Sequence, residues 1–248
     1  MPLAALLAVV VVAGGCSSSG SPSPASGGTS TNASPSSSGR TVAVAPLAHK
    51  VVTALQTITS AHLSINGGVL LGSVTGSAQF AHGNATASDL TVTQGGSTTR
   101  VVTAGTTSYA KTGSGTKPWI KLGGGGKTPA GLTETLGLVQ TLGSLNNLAE
   151  LVSLSSAATD RGATAAGHEY AITLDPAKAK GTAFASIMQL AGDTPIPVLI
   201  DLDRKNRPTH VQVTFRIGGQ SFGVTADITG YNVPVQIAAP PASEVSNP

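Results

Sequence analysis

The most constraining feature of this chain is a strict two-residue alternation of apolar side chains in its last third. Ile196, Val198, Ile200 and Leu202 alternate in this way, as do Val211, Val213, Phe215 and Ile217, then Phe222, Val224, Ala226 and Ile228. A period of two belongs to β-strands, whose successive side chains point to opposite faces. The intervening residues are often polar, as at Asp201, Asp203, Gln212, Thr214, Arg216, Thr225 and Asp227. Each strand therefore has a dry and a wet face, as expected of an antiparallel sheet covered on one side only.

Shorter runs of the same kind precede them: Leu63 and Ile65, Val69 to Phe80, Leu90 and Val92, Val101 to Ala104, Tyr109, and Trp119 to Leu122. Gly67-Gly68, His82-Gly83-Asn84 and Gly95-Gly96 punctuate them as hairpin turns do, which predicts a meander. Arg204-Lys205-Asn206-Arg207 reads as another hairpin tip. Helical spacing occurs in three places. Leu47, Val51, Leu55 and Ile58 form a stripe ending near Ser60. Leu132, Leu136, Val139, Leu142, Leu145, Leu148, Leu151 and Val152 form a second, interrupted near Gly143-Ser144. After a strand at Tyr170, Ile172 and Leu174, Pro176 opens a short helix through about Gln189, with Phe184, Ile187 and Met188 as its apolar residues. The predicted class is α+β: a large curved antiparallel sheet of about ten strands, with helices packed on its concave face. Helices cannot fill a wide curl, so an apolar cavity is expected there.

The N-terminus reads as an export signal. Residues 3–13 are an unbroken apolar run followed by Gly14-Gly15-Cys16. The run is too short for the ~20-residue helix that spans a bilayer, and fits the apolar region of a signal peptide. Small residues directly before a cysteine resemble a bacterial lipobox, in which the thiol is acylated and the leader removed. Ala13 departs from the Leu or Val more usual there. Met1-Pro2 carries no Lys or Arg, so either a translation start further upstream or a truncated sequence is expected. Two or three acyl chains on Cys16 give stable anchoring, whereas a single chain holds a protein only marginally. Residues 17–39 are almost entirely Ser, Gly, Pro, Thr, Ala and Asn. Such a segment cannot bury enough apolar area to offset its ordering entropy. The expected organisation is a signal peptide over 1–15, an acylated cysteine and tether over 16–41, and one folded domain over 42–248.

Composition excludes several functions. Cys16 is the single cysteine, so an intramolecular disulfide and a cysteine-based zinc cluster are both impossible. A net charge of +3 with only 10% charged residues, and no basic cluster interleaved with aromatics, argues against nucleic acid as a partner. Gly123-Gly124-Gly125-Gly126-Lys127-Thr128 tempts a phosphate-loop reading, but the first glycine of that motif falls on Lys121, and Pro129 follows at once. The bland reading is a loop, which suits a cavity mouth. His49, His62, His82, His168 and His210 are scattered and form no zinc motif. His168-Glu169 reads as a surface strand pair. Asp201 and Asp203 share a face at a spacing compatible with carboxylate catalysis, but two acids on the wet side of a strand ordinarily just solvate it. No G-x-S-x-G elbow is present.

In their order and spacing, several of these segments resemble one family. They are Cys16, the helix around Ala48 to Ser60 leading into Ala61-His62-Leu63, Tyr109-Ala110-Lys111, Trp119-Ile120-Lys121, the Leu-rich helix 132–152 and Gly167-His168-Glu169-Tyr170. Pro197-Val198-Leu199-Ile200-Asp201 and Tyr231-Asn232-Val233-Pro234-Val235-Gln236-Ile237 complete the set. The chain is similar in these to the actinobacterial LppX/LprA/LprF/LprG lipoproteins, which share a half-barrel with the carriers of the Lol system. The resemblance implies a lipoprotein on the outer face of the cell membrane, with no catalysis and no cofactor. It implies a cavity that carries acylated lipid or glycolipid between membranes, with an envelope lipid exporter as a partner. Aromatic content of 3% and Ala/Gly-rich helices depart from a bulky core.

Read alone, the apolar stripes favour a packed core over a ligand cavity. The resemblance assigns them to a cavity lined by Leu63, Ile65, Leu90, Val92, Leu136, Val139, Leu142, Ile172, Ile196, Val198, Ile200, Val211, Val213, Phe215, Phe222 and Val224. Its mouth is expected at Gly123, Gly124, Gly125, Gly126 and Lys127. Each methylene moved out of water gains ~0.8 kcal/mol, so a chain of about 16 carbons gains on the order of 12 kcal/mol gross without a charged anchor. The rival readings are a membrane-anchored scaffold with a fully packed core, and an envelope hydrolase for which no nucleophile and base can be paired.

Overall fold

The computed structural model describes residues 39–68, 72–113, 118–122, 144–165, 167–182, 184, 185, 188, 192, 194–217 and 219–246. All of them fall in one compact unit spanning 37–248. The described residues form thirteen strands. They are β1 (Arg40–Val42), β2 (Ser60–Asn66), β3 (Ser73–Ala81), β4 (Asn84–Gln94), β5 (Ser97–Ala104), β6 (Thr107–Thr112), β7 (Trp119–Leu122), β8 (Ser155–Ala163), β9 (Gly167–Leu174), β10 (Ile196–Asp203), β11 (Pro208–Ile217), β12 (Gln220–Thr229) and β13 (Val245–Ser246). Two α-helices accompany them, α1 (Val44–Leu55) and α2 (Leu145–Ser153).

The strands make one open sheet in the order β1-β8-β9-β10-β11-β12-β2-β3-β4-β5-β6-β7-β13. The three alternating segments of the C-terminal third are consecutive neighbours, and β12 then pairs with β2 to join them to the N-terminal meander. Hairpin turns fall where the glycines predict. His82 and Gly83 (φ 51 and 77) and Gly95 and Gly96 (φ 56 and 77) supply the paired positive φ angles that match a two-residue turn to strand twist.

The expectation of about ten antiparallel strands needs correcting on count and direction. The sheet has thirteen, and β13 runs parallel to β7. β1 begins at Arg40, two residues before the expected domain boundary, and pairs Arg40 with Asp160 on β8. β8 itself carries no hydrophobic alternation. Its sequence is Ser-Ser-Ala-Ala-Thr-Asp-Arg-Gly-Ala, and only Ser155 and Ala158 are buried. It is a strand because β1 and β9 flank it and satisfy its backbone groups.

α1 buries Leu47, Ala48, Val51 and Leu55, the expected stripe, but ends five residues before Ser60. The backbone N–H groups of Thr57 and Ile58 turn back to Ala54 and Leu55 at 3.2 Å, tightening the last turn and freeing the chain to enter β2. The helix expected over 176–189 opens instead as a 3-10 turn, Pro176–Ala179, capped by the Asp175 carboxylate accepting from the Ala177 N–H at 2.9 Å. Ala185 and Met188 further on are helical, with the Met188 N–H donating to Phe184 O at 2.9 Å. Lys180 leaves the helical region and Gly181 adopts φ +82, which stops propagation. Phe184 and Met188 are buried as expected, whereas Ile187 and Gln189 lie outside the described residues.

The helices pack on each other and on one face of the sheet, α1 against β8 and α2 against both β9 and β4. β9 and β4 are six strand steps apart in the sheet order, roughly 29 Å in a flat sheet at about 4.8 Å per step. α2 has nine residues and is only about 14 Å long. One short helix touches both strands only because the sheet curls around it. The Asn146 amide on α2 also donates to Asn84 Oδ1 at 2.8 Å, fixing the helix to the β3–β4 turn. No helix among the described residues is long and apolar enough to cross a membrane.

Candidate functional site

The register of the strands assembles the apolar stripes into continuous rows on the face that meets the helices. Ile172, Val198, Val213 and Val224 lie side by side across β9, β10, β11 and β12. Ile200, Val211, Ala226, Ile65, Val74 and Val92 form a longer parallel row. Leu63 stands between Ile228 and Gly76, with Leu90 on the next strand, and Ile196 pairs with Leu174. Phe215 stacks on Phe222 with ring centroids 6.1 Å apart. Every expected lining residue that is described thus falls on one face. Leu136, Val139 and Leu142 lie outside the described residues, as do Gly123, Gly124, Gly125, Gly126, Lys127 and Cys16.

Burial is uneven along that face. Val198 and Ile200 are each 1% exposed, sealed in a large cluster with the two helices. A smaller cluster, Ile65, Val74, Leu90 and Val92, forms under the other arm of the sheet. Between the clusters Val213, Phe222, Val224 and Ala226 are only partly buried, and Val224 and Ala226 touch both. Ala226 and Tyr170 also belong to this face, as the alternation running through both requires, although neither is among the expected lining residues. Burial raises the Tyr170 phenol, with the nearby Asp160 carboxylate acting in the same direction.

The opposite face carries the row Glu169, Asp201, His210 and Asp227, and Asp203 beside it. Asp203 accepts from Arg207 Nε at 2.7 Å and from the backbone N–H groups of Lys205 and Arg207 at 2.8 and 2.9 Å, so it organises the β10–β11 turn. Burial pushes its carboxyl up, but the bonds from the Arg207 guanidinium and from the two backbone N–H groups outweigh this and hold it below the ordinary carboxylate value. Asp201 pairs in register with His210, and its Oδ1 is buried without a hydrogen-bond partner. His210 instead meets Asp227 at 2.7 Å. His168 and Glu169 point to opposite faces; His168 lies 3.3 Å from Asp160 and Glu169 3.1 Å from Arg161. No cluster of three or more metal-ligating side chains occurs among the described residues. The two candidate acids are a turn organiser and a member of a cross-strand row.

After β12 the chain runs back across this outer face, a feature no periodicity in the sequence signals. Asn232 Oδ1 accepts from the Thr59 N–H at 2.8 Å, Val233 O from Ser60 Oγ at 2.5 Å, and Val235 O from Gln79 Nε2 at 2.8 Å. Further along, Ser246 Oγ donates to Trp119 O at 3.2 Å. Between this segment and β3, β4 and β5 lies a polar pocket of ≈ 450 Å³. Arg100 borders it, bonded to Asp89 through Nε at 2.8 Å and a terminal nitrogen at 2.6 Å. Its guanidinium also lies 5.7 Å from the Trp119 ring centroid. A second pocket of ≈ 370 Å³ sits beside the 3-10 turn, with Lys180 and Met188 in its wall.

The fold has a counterpart among solved structures. LprF from Mycobacterium bovis matches with a TM-score of 0.54 and 16% identity, over 79% of this chain and 96% of that one. The lipoprotein LppX from Mycobacterium tuberculosis gives a TM-score of 0.47 at 16% identity, over 79% and 98% of the two chains. No protein-family profile and no curated protein sequence matches the chain. At this identity the likeness to LprF establishes the fold, and it is the fold that the sequence resemblance implied.

Proposed function

We propose that this chain, built on the LprF fold, is an exported lipoprotein anchored through an acylated Cys16 on the outer face of the cell membrane. Its domain takes the acyl chains of a lipid or glycolipid against the inner face of the sheet and carries them between membranes. An envelope lipid exporter hands over or receives the cargo, and no chemistry is performed on it. The observation that carries this reading is the half-burial of Val213, Phe222, Val224 and Ala226 between two closed clusters. Apolar side chains on the covered side of a sheet are normally sealed, so an unsealed set there is a surface awaiting an apolar partner. An acyl chain is a suitable partner because each methylene gains ~0.8 kcal/mol on leaving water, without a charged group to hold it. Val198, Ile200 and Ile172 belong to the closed core on this reading, and the acyl chain lies over β11 and β12. A mouth at Gly123, Gly124, Gly125, Gly126 and Lys127 leaves the headgroup wet.

Native mass spectrometry of protein purified from an actinobacterial host tests this. A mass excess removed by organic extraction, with an apolar fluorophore then binding stoichiometrically, is the expected result. Repeated recovery of empty protein that binds no fluorophore would overturn it in favour of a packed scaffold. Replacing Cys16 with Ala should move the protein from the membrane to the soluble fraction.

A further inference from the structure

The outer-face pocket is independent of the lipid reading and lies on the other side of the sheet. Thr75 and Thr91 pair in register on β3 and β4, next to Val74 and Val92, which are buried on the inner face. Strand alternation therefore turns both threonines outward. With Ser77, Asp89 and Arg100 they line the open ≈ 450 Å³ pocket, of which Val235 to Ile237 form another wall.

Its chemistry selects a class of ligand. Among the described residues lining the pocket Arg100 is the one cation and Asp89 the one anion, and they neutralise each other through two bonds. A free anion or cation gains little from a charge already matched. A guanidinium held by a carboxylate keeps other N–H donors, and the carboxylate keeps free lone pairs, so a fixed donor and a fixed acceptor sit side by side. The hydroxyls of Thr75 and Thr91 add groups that both donate and accept, and Ser77 Oγ, already 2.7 Å from His62 Nδ1, adds its remaining capacity. Adjacent donor and acceptor sites with surrounding hydroxyls match a vicinal diol. Val235 and Ile237 offer apolar edges to the C–H face of a ring. We propose that this pocket is a binding site for a neutral sugar, of one or two rings, held between the outer face of β3–β5 and the segment 235–237.

The test uses the full-length protein and saturation-transfer NMR with methyl α-D-mannopyranoside and methyl α-D-glucopyranoside, with inorganic phosphate as an anionic competitor. Saturation transfer to at least one glycoside is expected, undiminished by phosphate. Thr91→Val keeps the branched shape and removes one hydroxyl, and Arg100→Gln removes the fixed donor pair. Each should weaken binding about tenfold, the value of one or two hydrogen bonds, with thermal unfolding used to confirm that both variants fold. Val213→Trp on the inner face should leave glycoside binding unchanged, so that failure here is separable from failure of the lipid reading. No transfer to either glycoside, transfer unaffected in both variants, or displacement by phosphate would each overturn the proposal.

Discussion

Val213 and Val224 stand directly opposite each other on β11 and β12, on the helix-facing side of the sheet, and both are only partly buried. Val198, which pairs with Val213 from the other side, is 1% exposed. Along this row burial thus changes over a single strand spacing, although Val211 and Phe215, on either side of Val213 along β11, stay buried in the large cluster.

That step separates two otherwise similar substitutions. Val213→Trp should place its ring in the unsealed region, leave thermal unfolding within a few degrees of the parent, and lower uptake of an apolar fluorophore severalfold. Val198→Trp overpacks a sealed site and should cost about 1–3 kcal/mol in chemical denaturation. Equal destabilisation by both would place Val213 in the closed core and remove the support for a lipid hollow.

Asp203 gives the fold an acid-sensitive component. Its ordinary value is 3.8, and the folded state lowers it. A carboxyl lowered on folding contributes stability that is full above the unfolded value and is lost as pH falls through the folded one. The melting temperature of the parent should therefore fall more steeply below about pH 4 than that of Asp203→Asn. At neutral pH the variant should be weaker by about 1–3 kcal/mol, since both Asp203 and Arg207 are mostly buried, at 16% and 19% side-chain exposure.

Tyr231 reaches the same turn. Its hydroxyl donates to Pro208 O, and the Arg207 guanidinium lies 4.5 Å from its ring centroid. Burial raises this phenol far above its ordinary value. Tyr231→Phe should cost about 1–2 kcal/mol by leaving the Pro208 carbonyl unpaired. Because Arg207 contacts both residues, the loss in Tyr231→Phe/Asp203→Asn should differ from the sum of the single losses, and a double-mutant cycle in urea reads that coupling.

Gly83 ties α2 to the sheet. It holds φ +77 in the β3–β4 turn, and a Cβ there would meet the Asn146 side chain that bonds Asn84. Gly83→Ala should cost about 1–2 kcal/mol from the left-handed backbone alone. It should also loosen α2, seen as faster amide exchange at Leu148 and Val152 than at strand residues of β10.

How far such features can be read from sequence depends on whether a segment gains its stability locally or from neighbours. β10, β11 and β12 are legible because Ile196 to Ile228 alternate apolar and polar side chains, and the inner face follows directly from that period. β8 is not legible, since Ala158 is its one buried apolar side chain and its pairing comes from β1 and β9. The helix expected from Pro176 is legible at Ala185 and Met188, but the break after 176–179 is not, because it comes from the positive φ of Gly181. Asp201 is correctly predicted to face outward, yet its Oδ1 is buried, because wetness of a face is set by what crosses over it and not by alternation. The sugar pocket is hidden for the same reason. Arg100 becomes Asp89's partner through cross-strand register, and Val235 to Ile237 arrive from far along the chain with no periodic pattern.

A sheet of thirteen strands that stays open has two rims, each able to recruit a strand from another molecule. Here the outermost strands, Arg40–Val42 and Val245–Ser246, are only three and two residues long. They act as bookends, offering too few unpaired backbone groups for a second copy to continue the ladder. Cutting away Val245 and Ser246 would bare the backbone of Trp119 and Ile120 on β7, turning a self-limited sheet into one that can grow by stacking chain upon chain.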